Sequence, residues 1–352
     1  MDNFFIYGAY GYTGRLITEY AVKQGLTPII GGRDAAKTET LAKEYELEFV
    51  VLNAKDPEKW DRILQRVSLV LNCAGPFALT VKDIVPTCIL HNTHYLDITG
   101  EIDVFEYIAS LHTKAQANNV VLMPGVGFDV VPTDCLSSQL HSKLPTATHL
   151  ELAFQGTSGV SRGTALSMAR RYHTGGTIRE NGKMKSVPLA YEDKIIDFGE
   201  KERLCITIPW GDVFTAFHST QIENIKVYTG VSEKTLKSLR IYRKFKFLAK
   251  TSLAQWSLKK IIKSKIDGPS AIKRATCITH LWGKVTDTTT GQSVTAELTT
   301  PESYHLTALT AIESTIRILK GKCTKNGYHT PVTAFGKDYI LTFDKVKLCF
   351  KK

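Results

Sequence analysis

Residues 4–15 read Phe4-Phe5-Ile6-Tyr7-Gly8-Ala9-Tyr10-Gly11-Tyr12-Thr13-Gly14-Arg15. Four apolar residues make a strand, three glycines spaced by three make a turn, and Leu16, Ile17, Tyr20 and Ala21 follow at helical spacing. Strand, glycine turn and amphipathic helix in that order form a phosphate cradle. Gly8 permits a tight turn off the strand. Gly11, without a Cβ, lets a pyrophosphate approach the backbone, and Gly14 lets the helix pack against the sheet. The phosphates then face unpaired N–H groups and the positive end of the helix dipole.

Outward from this stretch the alternation repeats. Strand-like runs at 28–31, 49–52, 69–71, 95–98 and 120–122 are separated by helical patterns at 35–45, near Pro57, at 81–90 and at 104–118. This predicts an α/β protein whose N-terminal domain, residues 1–130, is a Rossmann-type doubly wound parallel sheet. After Pro124 the pattern changes. Asp134 reads as the N-cap of a helix to about Leu144, and longer strand-like runs follow at 150–154, 204–208, 222–228 and 276–285. They predict a second, α+β domain over 131–300, built on a mostly antiparallel sheet and serving substrate binding or oligomerisation.

The end of the second strand selects the nucleotide. An NAD site usually carries Asp or Glu there for the ribose 2′-hydroxyl, whereas this chain has Gly31-Gly32-Arg33. Arg33 is placed to meet a 2′-phosphate, so NADP is expected in preference to NAD. Asp34 reads as the N-cap of the next helix. The candidate cofactor residues are Gly8, Tyr10, Gly11, Tyr12, Thr13, Gly14 and Arg33. To these are added Asn53 after strand three, toward the adenine, and the small stretch Cys73, Ala74, Gly75 and Pro76 after strand four.

The chemistry is less legible. Hydride transfer belongs to the nicotinamide, and the protein positions the acceptor and often supplies a proton. Asp97, Glu101 and Asp129 are the candidate catalytic acids. The first two follow strand five on the ligand-binding edge, and Asp129 sits at the domain junction. Each also has a plainer role, in fixing a loop or a junction. Arg162, Arg171 and His173 are candidates to reach the substrate from the central domain. No metal site is expected, since no His/Cys/Asp/Glu spacing suits one. A Ser/His/Asp nucleophile pattern and a G-x-S-x-G elbow are missing as well. Tyr242 and Lys246 fit the Tyr-x-x-x-Lys of short-chain dehydrogenases, but they lie far past the usual sheet.

The 352 residues are 43% hydrophobic and 22% charged, ordinary for a globular chain. No apolar run approaches the ~18 residues of a membrane span, and no secretory signal is read at the N-terminus. Seven scattered cysteines without a C-x-x-C pair favour a reducing compartment. The net charge of +11 is local: residues 234–265 carry eleven Lys or Arg and no acid, while the rest of the chain holds thirty-four of each sign. Leu236, Leu239, Tyr242, Phe245 and Leu248 lend this segment helical amphipathicity, so a peripheral contact with anionic lipid is one reading and a solvated basic face is the other. No nucleic-acid motif is present. A cytoplasmic protein, able to touch a membrane surface, is expected, and a homodimer is compatible with the reading.

Five segments together resemble the saccharopine dehydrogenase-like oxidoreductases, nearest the branch that includes trans-acting enoyl reductases. They are Gly8–Arg15, Gly32-Arg33-Asp34, Tyr95–Glu101, Pro124–Asp134 and Ser161-Arg162-Gly163-Thr164. Pro301–Tyr304 with Thr307, and Thr330–Gly336, also fit. The resemblance implies an N-terminal NADP domain, a central domain, and a C-terminal stretch, 301–352, that returns to the first. Tyr10 and Arg162 stand where the family often has small residues. The function expected is NADP(H)-dependent hydride transfer to or from a small or lipid-like C=C, C=O or C=N substrate. The alternative is a non-catalytic NADP(H)-binding redox sensor or scaffold.

Overall fold

The computed structural model describes residues 3–156, 158–171, 175–244, 260, 264 and 266–351. Two compact units are formed, one from residues 1–131 and 304–336, the other from 132–303 and 337–352. Strands are numbered along the chain.

The first unit holds β1 (Phe4–Tyr7), β2 (Ile29–Gly32), β3 (Phe49–Val51), β4 (Leu69–Asn72), β5 (His94–Asp97), β6 (Val121–Met123) and a short return strand, β15 (Gly327–Tyr328). They form a parallel seven-stranded sheet in the order β15-β6-β5-β4-β1-β2-β3. The order reverses between β1 and β4, which leaves a crevice at their carboxyl ends, where ligands of such sheets bind. β1, β2 and β4 are buried throughout, which is why they read as unbroken apolar or glycine runs. Helices cover the sheet as expected. Asp34 caps its helix by accepting from the Lys37 N–H at 3.1 Å, and Pro57 occupies the first turn of the next.

Three features differ from the sequence expectation. The helix expected over 104–118 is two, Ile102–Ser110 and His112–Ala117, separated at Leu111. Asp134 is not an N-cap, because the helix begins three residues earlier and runs Val131–Lys143. Pro132 can occupy that first turn, where its missing N–H has no helical acceptor to lose. Asp134 instead accepts a short hydrogen bond from the Ser219 hydroxyl. The C-terminal stretch also divides. The helix Ser303–Leu319 and β15 join the first unit, but β16 (Lys347–Phe350) pairs antiparallel with β14 (Ser293–Pro301) of the second sheet.

That second sheet contains nine strands in the described residues. β7 (His149–Gln155), β8 (Gly176–Glu180), β9 (Lys183–Val187), β10 (Asp193–Asp197), β11 (Glu202–Thr207), β12 (Asn224–Gly230) and β13 (Ile278–Thr286) join β14 and β16. Every pairing is antiparallel except β12 with β7. The strands missed in the sequence, β8–β10, β14 and β16, are those with a wetted face. In β9, β10 and β14, exposed or half-buried polar residues interrupt any apolar run. In the basic segment, the helix Glu233–Lys244 turns Leu236 and Leu239 into a core with Ala190 and Ile206. That part of the apolar stripe is therefore engaged within the protein and is not open to lipid. Phe245 and Leu248 fall outside the described residues, as do Lys246 and His173.

In the first unit, Trp60 is 1% exposed and meets the Phe5 and Tyr7 rings edge-on at 5.7 and 5.1 Å. Its indole N–H donates to the Asn53 carbonyl at 3.1 Å. Trp60→Ala is expected to cost about 3–5 kcal/mol of unfolding free energy in a urea titration. A loss below about 1 kcal/mol would contradict this packing.

Candidate functional site

The glycine turn lies where the sequence put it. Gly11 precedes the helix α1 (Tyr12–Lys23), has no side-chain cap bond, and is followed by a first turn without an acidic residue. The helix therefore presents its first amides, which have no intrahelical acceptor, and an uncompensated positive end. Gly8 has φ +81°, and a Cβ there would lie 2.7 Å from the Ala74 nitrogen. A Cβ on Gly14 would lie 2.3 Å from the Gly8 carbonyl oxygen. The turn after β1, the turn after β4 and the start of α1 thus meet backbone to backbone. The result is a glycine turn at a helix N-terminus, whose backbone amides suit a diphosphate.

Tyr12 and Thr13 are half-buried at the head of α1. Tyr12 meets the Tyr304 ring edge-on at 5.0 Å, so the returning helix Ser303–Leu319 braces the phosphate turn. Tyr10 points toward β2. Its ring lies over Gly32, where a Cβ would come within 2.4 Å of it, and the Lys37 ammonium sits 5.8 Å from its centroid. It therefore belongs to the β2 side of the crevice. Arg33 is exposed on that side, and among the described residues no ion pair occupies it. Lys37, one helical turn on, pairs with Asp34 at 3.1 Å. Asn53 holds its own turn, its side-chain oxygen accepting from the Lys55 N–H at 2.8 Å.

After β4, the Asn72 side-chain oxygen accepts from the Ala74 N–H at 2.9 Å, and its amide nitrogen donates to the Tyr95 hydroxyl at 3.0 Å and to Thr80 Oγ1 at 3.2 Å. Gly75 and Pro76 are joined by a cis peptide. Burial and the charge of Asp97 push the Cys73 thiol far above its ordinary range, so it is neutral and no nucleophile at physiological pH.

The three candidate acids fare differently. Asp97, fully buried at the end of β5, accepts from the Thr99 and Gly125 N–H groups, each at 3.0 Å, and from the Tyr95 hydroxyl at 2.9 Å. Its backbone oxygen accepts from the Val126 N–H at 2.8 Å. Three donors alone would hold a carboxylate at very low pKa. Burial outweighs them and raises Asp97 to about 7. Glu101 accepts from the Phe77 and Ala78 N–H groups at 3.0 and 3.3 Å and so ties the β5 edge to the turn after β4.

Asp129 is partly exposed and rests against Gly100, where a Cβ would lie 2.7 Å from its Oδ2. It is the central residue of a three-residue turn closed by the Val130 N–H on the Phe128 carbonyl at 2.8 Å. Val130 pays for that turn with φ +114°, a strained value for a β-branched residue. Thr307 of the returning helix accepts the Phe128 N–H at 3.0 Å. Desolvation alone raises Asp129 to about 7.

Sequence reasoning missed Asn72, Tyr95 and Thr307 as organisers of this edge. Tyr95 and Thr307 lie among the residues that carry the resemblance, but nothing in a lone Asn, Tyr or Thr marks this role, and only the fold brings them together. Arg162 pairs with Asp267 at 2.7 Å in the second unit, and Arg171 ends the helix Arg162–Arg171. Among the described residues there is no cluster able to hold a metal and no helix long and apolar enough to cross a membrane.

Residues 4–123 match the family described as the saccharopine dehydrogenase NADP binding domain. A saccharopine dehydrogenase-like oxidoreductase of Mus musculus is 26% identical over 149 residues, covering 37% of this chain and 35% of the mouse protein. A trans-acting enoyl reductase of Mycobacterium leprae is 28% identical over 149 residues, 40% of this chain and 35% of that protein. The matched region thus spans about a third of the length of these relatives. In fold, the chain is similar to apo saccharopine dehydrogenase (L-Glu forming) of Saccharomyces cerevisiae, with a TM-score of 0.67, full coverage of both chains and 13% identity.

The raised Asp97 carries a sign for stability. Its proton is kept in the folded state and already lost from the unfolded chain above about pH 4. The stabilisation is complete below that value and disappears as pH rises toward about 7. Urea titrations of wild type and Asp97→Asn should therefore show the wild type losing stability relative to the variant across this window. A constant difference would contradict the assignment.

Proposed function

We propose, from the match of residues 4–123 to the saccharopine dehydrogenase NADP binding domain, that this protein is an NADP(H)-dependent oxidoreductase acting on a C=C, C=O or C=N bond. The observation that carries the reading is the backbone cradle of Gly8, Gly11, Gly14 and Ala74 at the switch point of the parallel sheet. The pyrophosphate would rest on the amides at the head of α1, with Tyr12 and Thr13 beside it. The adenosine half would run toward β2 and β3, past Tyr10 and Asn53. Arg33, free of any ion pair in the described residues, would meet the 2′-phosphate. The nicotinamide half would cross Cys73–Pro76 toward the ends of β5 and β6. When bound, the reduced cofactor supplies hydride, and the protein's part is to bind, orient and move the proton.

The name of the mycobacterial relative supports an activated C=C among the acceptors to be tried. A screen of NADPH oxidation over enoyl, carbonyl and imine acceptors, including lipid-like ones, tests the activity. Turnover of any class supports it, whereas binding without turnover throughout would favour a sensor. Cofactor fluorescence tests specificity: NADPH should bind at least about tenfold tighter than NADH, and Arg33→Ala should remove most of that difference. Equal affinities in the wild type would overturn the NADP reading.

A membrane contact through 234–265 would rest mainly on its cations, since Leu236 and Leu239 are taken by the core. Co-sedimentation with anionic vesicles at low salt is the expected outcome. No binding would remove this part of the proposal.

A further inference from the structure

Three carboxylates stand at the carboxyl edge of β5 and β6, and two are fully engaged in holding it. Both Asp97 oxygens accept hydrogen bonds, as do both Glu101 oxygens. Asp129 differs in every respect. Among the described residues its carboxylate has no hydrogen bond and no ion pair, and, although partly exposed, it is desolvated by the groups packed around it. Gly100 leaves it room. The backbone that presents it is strained at Val130, and the strain is held in place from two sides. The Asp97 side chain and carbonyl clamp Gly125 and Val126, and Thr307 clamps Phe128. Strain maintained by its surroundings around a carboxylate that bonds to none of the described residues points to a partner that arrives later.

We propose that Asp129 is the acid–base group of this site, exchanging a proton with the acceptor at the nicotinamide end of the crevice, while Asp97 and Glu101 only position the loop that carries it. The inference rests on the nucleotide reading above. The sheet order supports the placement. Arg33 marks the β2 side as the adenosine half, which leaves the ends of β5 and β6 to the nicotinamide.

In the reducing direction the acceptor's carbon takes hydride from NADPH. The proton for the other atom of its double bond leaves the Asp129 carboxyl, and the carboxylate is reprotonated from water. Oxidation of the same product runs the steps in reverse, with the Asp129 carboxylate as base. The proton is available near neutrality because desolvation by the surrounding groups raises this carboxyl to about 7, with no charged neighbour contributing. Asp97, Glu101 and Tyr95, the titratable groups on the adjoining β5 edge, are bonded to other partners.

The test needs no substrate. The oxidised nicotinamide ring is cationic and the reduced ring is neutral, so ionised Asp129 favours NADP+ over NADPH. The ratio of their affinities, read by fluorescence, should shift about tenfold toward NADP+ between about pH 6 and about pH 8, as expected for one opposite charge at close range. Asp129→Asn should bind both forms without that shift. Gly100→Ala, whose Cβ would press on Oδ2 and make the carboxyl shift while keeping it ionisable, should move the midpoint of the shift and keep its amplitude. It also serves if Asp129→Asn does not fold. An unchanged pH dependence in Asp129→Asn, or none in the wild type, overturns the proposal. Failure of the wild type to bind either form would instead overturn the nucleotide reading on which it stands.

Discussion

A buried carboxylate that accepts two backbone N–H groups and one phenol fixes the carboxyl edge of the first sheet. Asp97 reaches across from the end of β5 to the amide of Gly125, so the loop after β6 cannot leave β5 without stripping a dry charge or polar acid of its donors. Leaving such a group unsatisfied costs several times the net worth of an ordinary hydrogen bond, about 1 kcal/mol. The same residue receives Tyr95, which receives Asn72, which in turn holds the turn after β4. One chain of polar contacts therefore links β4, β5 and the loop beyond β6, the three places from which a nicotinamide pocket would be built.

The adenosine and phosphate side depends on a different constraint, which is the absence of side chains. Gly8 against Ala74, and Gly14 against the Gly8 carbonyl, are approaches that no Cβ permits. Here the backbone itself is the surface offered to the proposed nucleotide. The two halves of the crevice are thus organised by different physics, close steric approach on one side and buried hydrogen bonding on the other. The returning helix Ser303–Leu319 braces both, through Tyr304 on Tyr12 and Thr307 on the Phe128 amide.

That difference explains what the sequence disclosed. Glycines spaced by three after an apolar strand are a local pattern, so the turn, the parallel sheet and the lack of an acid at the end of β2 were all readable. Asp97, Glu101 and Asp129 could be picked out as acids near the right edge. The contacts that distinguish them could not, because these are with Gly125, Phe77 and Gly100, residues distant or unremarkable in sequence. The side of the crevice that Tyr10 faces was hidden for the same reason: its ring reaches Gly32, on a strand no local pattern connects to it. In the second unit, strands such as β9 and β10 were hidden by their own solvated faces. The last strand, β16, joins the second sheet by a pairing across some fifty residues, a contact no periodicity encodes.

The central claim is that one crevice holds the whole nucleotide and presents its reactive end to Asp129. A crystal structure with NADP+ bound measures this most directly. The account predicts the pyrophosphate on the amides at the head of α1, the 2′-phosphate within hydrogen-bond reach of Arg33, and the Asp129 carboxylate beside the nicotinamide ring. A nucleotide seated elsewhere, or a nicotinamide facing away from Asp129 with the pyrophosphate in place, would contradict it.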